Sequence, residues 1–123
     1  MFSLGDSNRY LLFSEPTDMR KSFHTLSGIV TNIIGSNPHN GDVYIFTNRH
    51  RNRIKLLHWE PGGMVLYSKI LERGTFTLPD MTSSDSSAYA MQWRDLVLMI
   101  EGIIEKKKDS RQNRLNHLKN MQL

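Results

Sequence analysis

Asn48-Arg49-His50-Arg51-Asn52-Arg53-Ile54-Lys55-Leu56-Leu57-His58-Trp59-Glu60 sets a cation on every second residue, at Arg49, Arg51, Arg53 and Lys55, and carries no acid before Glu60. If the second half is a strand, alternation puts Arg53, Lys55, Leu57 and Trp59 on one face and Ile54, Leu56 and His58 on the other. Two readings fit. One is a solvated hairpin tip leading into an ordinary amphipathic strand. The other is a cationic ladder ending in a ring, suited to a phosphate backbone and a stacked base. On both, the stretch contributes a strand to a sheet.

Working outward, Glu60-Pro61-Gly62-Gly63 is a turn, and residues 64–71 form the next strand. A three-residue loop over 61–63 sets Arg53, Lys55, Leu57 and Trp59 beside Leu71, Lys69, Tyr67 and Val65, so that Tyr67 and Lys69 join the ladder. A two-residue Pro-Gly turn flips the second strand's faces. The longer loop is preferred, because an L-proline turn matches hairpin twist poorly. Upstream, Asp42-Val43-Tyr44-Ile45-Phe46-Thr47 has β-branched and aromatic residues on both parities, as a central strand buried on both faces does. Residues 9–14 read as a first strand, ended by Glu15-Pro16.

Between those strands, a helix is predicted from Thr17 or Asp18 to Ile34, with Gly35 as its stop. Met19, Phe23, Leu26, Val30 and Ile33 make its apolar stripe. Arg20 and Lys21 then fall in the first turn, where the macrodipole disfavours cations by a few tenths of a kcal/mol. Either Glu15 and Asp18 neutralise them locally, or they are placed there for a ligand. Beyond Glu72-Arg73-Gly74, residues 75–78 read as a short strand and residues 80–87 as a polar linker. A second helix is predicted over 88–104, with Tyr89, Trp93, Leu96, Val97, Ile100 and Ile103 or Ile104 on one face. Met91, Leu98 and Met99 widen that surface, which implies deep burial or a protein contact; Trp93 and Ile100 are the candidate partner-binding residues.

The predicted architecture is α+β, a single domain over 1–104. An antiparallel sheet of four or five strands, in the order β-α-β-β-β-β-α, carries two helices on one face. Residues 105–123 form a basic tail with Lys106, Lys107 and Lys108, expected to be flexible.

The chain of 123 residues has a net charge of +4, distributed unevenly. Residues 1–46 carry three basic and four acidic side chains, 47–58 four basic and none acidic, 59–104 three and six, and 105–123 six and two. A near-neutral to acidic body with two basic segments points to an anionic partner. With no cysteine, a disulfide framework and a thiolate metal site are excluded, which suits a reducing cytoplasm. The first residues lack the basic and apolar regions of a signal peptide, and no apolar run approaches the roughly 20 residues of a membrane span. His24, His39, His50, His58 and His117 show no metal-binding spacing, and no nucleotide-cradling glycine loop or nucleophile elbow is present. No cofactor, metal, small-molecule substrate or catalytic activity is expected.

Pro16-Thr17-Asp18-Met19-Arg20-Lys21-Ser22-Phe23, then Gly41-Asp42-Val43-Tyr44-Ile45-Phe46, then the 48–60 stretch, then Leu66-Tyr67 through Leu71-Glu72-Arg73-Gly74-Thr75-Phe76 occur in an order that resembles the TnpB-type accessory proteins of the insertion-sequence 66 family of bacterial transposons. These are distinct from the RNA-guided nuclease that shares the TnpB name. The resemblance covers roughly residues 2–80. It implies an accessory role in transposition, beside a DDE transposase and another accessory protein of the same element, and implies no activity of this chain.

Charge and position together nominate Arg20, Lys21, Arg49, Arg51, Arg53, Lys55, Lys69 and Lys106–Lys108 as DNA-binding cations. Transposon ends or non-specific duplex would be the ligand. Trp59 and Tyr67 are the rings available to stack or pack. The alternative is an adaptor that binds or stabilises the transposase through the 88–104 helix.

Overall fold

The computed structural model describes residues 4–82 and 86–101. Its centre is a five-stranded sheet, in the spatial order β4-β3-β2-β1-β5, built from β1 (Tyr10–Phe13), β2 (Val43–Thr47), β3 (Arg53–Glu60), β4 (Gly63–Ile70) and β5 (Ala88–Met91). Helix α1 (Phe23–Ile29), continued by a π-helical turn (Val30–Ile34), links β1 to β2, and α2 spans residues 93–101. The α+β class and the element order are those predicted. The sheet is mixed: β1 and β2 run parallel, and every other neighbouring pair is antiparallel. A parallel pair needs a crossover that returns the chain to the same end of the sheet, and α1 with its π turn supplies it.

The helices lie on opposite faces, which corrects the prediction that both cover one. Leu26 and Val30 pack with Leu11, Phe13, Tyr44, Phe46 and Leu57 on one side. Leu96, Met99 and Ile100 pack with Tyr10, Leu12, Val43, Ile45, Ile54 and Leu56 on the other. The alternating residues of β1 and β2 feed both clusters, so every residue of these two strands is buried. A sheet apolar on both parities needs cover on both sides.

Several local readings are also corrected. Helix α1 begins at Phe23 with Ser22 as N-cap, not at Thr17 or Asp18. Thr17 is drawn away by the sheet: its N–H donates to the Thr47 carbonyl at 2.8 Å. Within the π turn, the wider i→i+5 spacing brings Ile34 to the core and leaves Ile33 53% exposed, which shifts the end of the predicted stripe by one residue. Gly35, with φ 77°, closes the turn as expected. Residues 88–91 are a strand rather than helix, paired antiparallel with β1. Residues 75–78 are irregular, held by buried Phe76, whose N–H donates to the Arg51 carbonyl at 2.6 Å.

The β3–β4 hairpin takes the shorter loop. Glu60 pairs with Gly63, leaving Pro61 and Gly62 as a two-residue turn, with Gly62 at φ 95°. Proline followed by a residue of positive φ is the type II pattern, and glycine meets that φ without a Cβ penalty. This register sets Arg53, Lys55, Leu57 and Trp59 beside Ile70, Ser68, Leu66 and Met64. Tyr67 and Lys69 therefore stand on the opposite face from the ladder.

Candidate nucleic-acid interface

Parallel pairing of β1 and β2 makes both strands end at the same end of the sheet. The segments that leave those ends, residues 14–20 and 48–53, therefore emerge side by side. In sheets with parallel strands, the crevice outside the carboxyl ends is the usual place for a ligand. An open cleft of about 520 Å³ lies there, walled by Pro16 to Arg20 on one side and by Asn48, Arg49, His50, Asn52 and Arg53 on the other. Two sequence words 28 or more positions apart thus build one site.

The second wall is held rigidly. Asn48 Oδ1 accepts from the N–H groups of Asn52 and Arg53, both at 3.0 Å, and its Nδ2 donates to Asn52 Oδ1 at 2.6 Å. The Asn48 N–H donates to the Arg53 carbonyl, and the Arg51 N–H to the Asn48 carbonyl. Arg51 sits in the left-handed region at φ 56°. Next to it, the Asn52 carbonyl accepts from the Leu71 N–H at 2.8 Å. A loop with its polar backbone satisfied this way presents its side chains from a fixed frame.

Arg20, Arg49 and Arg53 all line the cleft. Arg20 is already engaged: Asp18 takes its Nε and Nη2, the closest contact being 2.6 Å, and also accepts the Arg20 N–H. The guanidinium holds the Asp18 carboxyl well below the usual carboxylate range. Of the two sequence readings for Arg20, local pairing is therefore realised, although the arginine side chain is 90% exposed and Asp18 leaves its Nη1 donors unused. Arg20 and Lys21 precede the N-cap Ser22 and so lie outside the first helical turn.

The remaining predicted cations do not form one ladder. Lys55 is an internal tie, its ammonium donating to the Lys21 carbonyl at 2.6 Å just before α1. Lys69 does the same on the other face, toward the Ile100 carbonyl at 3.4 Å. Arg51 lines a separate cleft with Asp80 and Ser14. Trp59 is half-buried at the far end of β3, its ring edge-on to His39 at 4.8 Å. Tyr67 packs against the α2-side core.

Trp93 and Ile100 pack against the α2-side core of the sheet. Trp93 lies 5.6 Å from the Tyr10 ring, and Ile100 is 7% exposed within the core. Lys106, Lys107 and Lys108 lie outside the described residues, as does the tail. Asn48 and Asn52 also line the cleft, and charge and position did not single them out. The repeated Asn at either end of an Arg-His-Arg run was the available signal for a side-chain-closed loop. Among the described residues no group of three or more His, Asp or Glu could hold a metal ion, and no helix is long and apolar enough to cross a membrane.

A small mixed sheet flanked by a helix on each face, with an open arginine-lined cleft where β1 and β2 end, is a domain of the α+β class. The family model described as IS66 Orf2 like protein matches residues 8–110, and the chain belongs to that family. Its place is thereby among the accessory proteins of insertion-sequence transposition. Two relatives are proteins of Sinorhizobium fredii (strain NBRC 101917 / NGR234). The uncharacterized protein y4jC is 26% identical over 95 residues, covering 77% of this chain and 79% of the relative. The uncharacterized protein y4hO is 29% identical over 103 residues, covering 84% and 87%. No solved structure matches.

Proposed function

We propose that the chain assists transposition by binding DNA, with the cleft between residues 16–20 and 48–53 as the phosphate-contacting surface. The observation that carries this reading is the convergence of Arg20, Arg49 and Arg53 on one open cleft from two distant segments. Guanidinium groups on a fixed frame suit phosphate oxygens, which they contact through paired N–H donors. The basic tail adds a second electrostatic contribution, and Lys55 and Lys69 contribute little because their ammonium groups serve the fold.

A salt-titrated gel shift on the element's terminal inverted repeat and a scrambled duplex, with and without residues 105–123, tests this. Log affinity is expected to fall with log salt by about 0.9 for each phosphate neutralised. Removing the tail lowers the slope but leaves the share of the cleft arginines. An affinity indifferent to salt would exclude the proposal.

An adaptor role takes second place, since Trp93 and Ile100 spend their apolar surface on the chain's own sheet. One observation favours it: Leu98 is 45% exposed and, with Leu78, Pro79 and Tyr89, lines a groove beside β5. Leu98→Arg is expected to abolish recovery of the element's transposase in a pull-down if that groove docks it, and unchanged recovery removes this reading.

A further inference from the structure

We infer that the cleft is a duplex-backbone site, one that takes the phosphates of double-stranded DNA without stacking on or reading its bases. This rests on the DNA-binding reading above and specifies its ligand. Proteins that hold single strands lay the bases on exposed rings, commonly across an open sheet face or groove. Here helices cover the centre of both faces, β1 and β2 are buried throughout, and the exposed residues of β4, Ser68 and Ile70, carry no ring.

The rings are also in the wrong places. Trp59 lies six residues along β3 from Arg53, roughly 20 Å at a strand's rise per residue, and it is occupied by His39. Tyr67 is on the opposite sheet face, packed into the α2-side core. Phe23 is 40% exposed but does not line the cleft. Among the described residues, no Phe, Tyr or Trp lines it, and its one aromatic ring, the small imidazole of His50, is a single platform where a bound single strand uses several for successive bases.

A site that engages only phosphates follows charge density. Duplex DNA presents one charge per about 1.7 Å of axis, against about 3.4 Å along one of its strands. Duplex should therefore win, and base sequence should matter little to the cleft, because phosphate contacts carry no direct sequence information.

The test is fluorescence anisotropy with the full chain, a mixed-sequence duplex of about 20 bp and oligo-dT of equal length, using wild type, Phe23→Ala and the Arg49→Ala/Arg53→Ala double variant. Thermal melts establish that each variant is folded. Wild type is expected to bind duplex at least fivefold more tightly than oligo-dT, and Phe23→Ala to change neither affinity more than twofold. The double arginine variant should lose about two from the duplex salt slope. Oligo-dT bound as tightly as duplex, or bound with quenching of tryptophan fluorescence, overturns the duplex assignment and leaves DNA binding standing. A duplex affinity and slope unchanged by the double variant instead removes the cleft as the site, and with it the reading on which this one rests.

Discussion

Replacing Asn48 with alanine is expected to destabilise the protein by about 2–3 kcal/mol and to weaken duplex binding about tenfold. The side chain makes three hydrogen bonds, accepting from the Asn52 and Arg53 N–H groups and donating to Asn52 Oδ1. Each contributes about 0.5–1.5 kcal/mol net, and alanine leaves partly buried donors unmet. The affinity loss follows from the same bonds, because Arg49 lies inside the loop that they close and Arg53 at its end. Asn48→Asp separates the two effects. It keeps both acceptor contacts, so urea unfolding should show most of the stability restored. Its added negative charge beside the cleft should still lower the affinity. If Asn48→Ala leaves the urea midpoint unchanged, the loop is held by Phe76 and Leu71 alone.

Phe46→Ala should be more damaging still, by about 3–5 kcal/mol. Phe46 is wholly buried in the central strand and meets Phe13 edge-on at 5.9 Å, a contact worth about 0.5–1.5 kcal/mol beyond area. A small domain has about 5–15 kcal/mol in total, so this one truncation removes a large share of it. Ile33→Ala is the matched control: an exposed apolar residue on the same side, whose loss should stay within about 0.5 kcal/mol. Urea unfolding of both variants checks the contrast. Equal losses would mean that the π turn does not rotate Ile33 out of the core.

Residues 42–47 could be recognised as a central strand because their apolar residues fall on both parities, a pattern that only double cover explains. The β3–β4 hairpin was equally legible, but its register was not. General twist preferences disfavour an L-proline turn, and here Gly62 adopts the positive φ that makes such a turn workable. The start of α1 was misplaced because Thr17 has a partner 30 positions away, Thr47, that no local pattern reveals. Ala88-Tyr89-Ala90-Met91 reads as helix because alanine and methionine favour one. It becomes a strand because the free edge of β1 needs hydrogen-bond partners, and tertiary demand outweighs propensity.

The site was half visible. The basic word and the 16–23 word each stood out, but nothing in the sequence says that they face each other. That juxtaposition comes from the parallel β1–β2 pair, which the prediction of a wholly antiparallel sheet did not contain. The carbonyl partners of Lys55 and Lys69 were hidden for a related reason. Charge alone does not show that a backbone carbonyl lies within reach of the ammonium group.

The pairing of β5 with β1 also bears on how the protein is made. β1 lies between β2 and β5, so one of its edges has no native neighbour until residue 91 has been added. At typical elongation rates of about 5–20 residues per second, that edge stays open for roughly 4–16 s. During this interval Tyr10-Leu11-Leu12-Phe13 offers a short apolar template to any passing strand. A nascent chain stalled before β5 should recruit chaperones or aggregate, and the four-residue length of β1 keeps that hazard small.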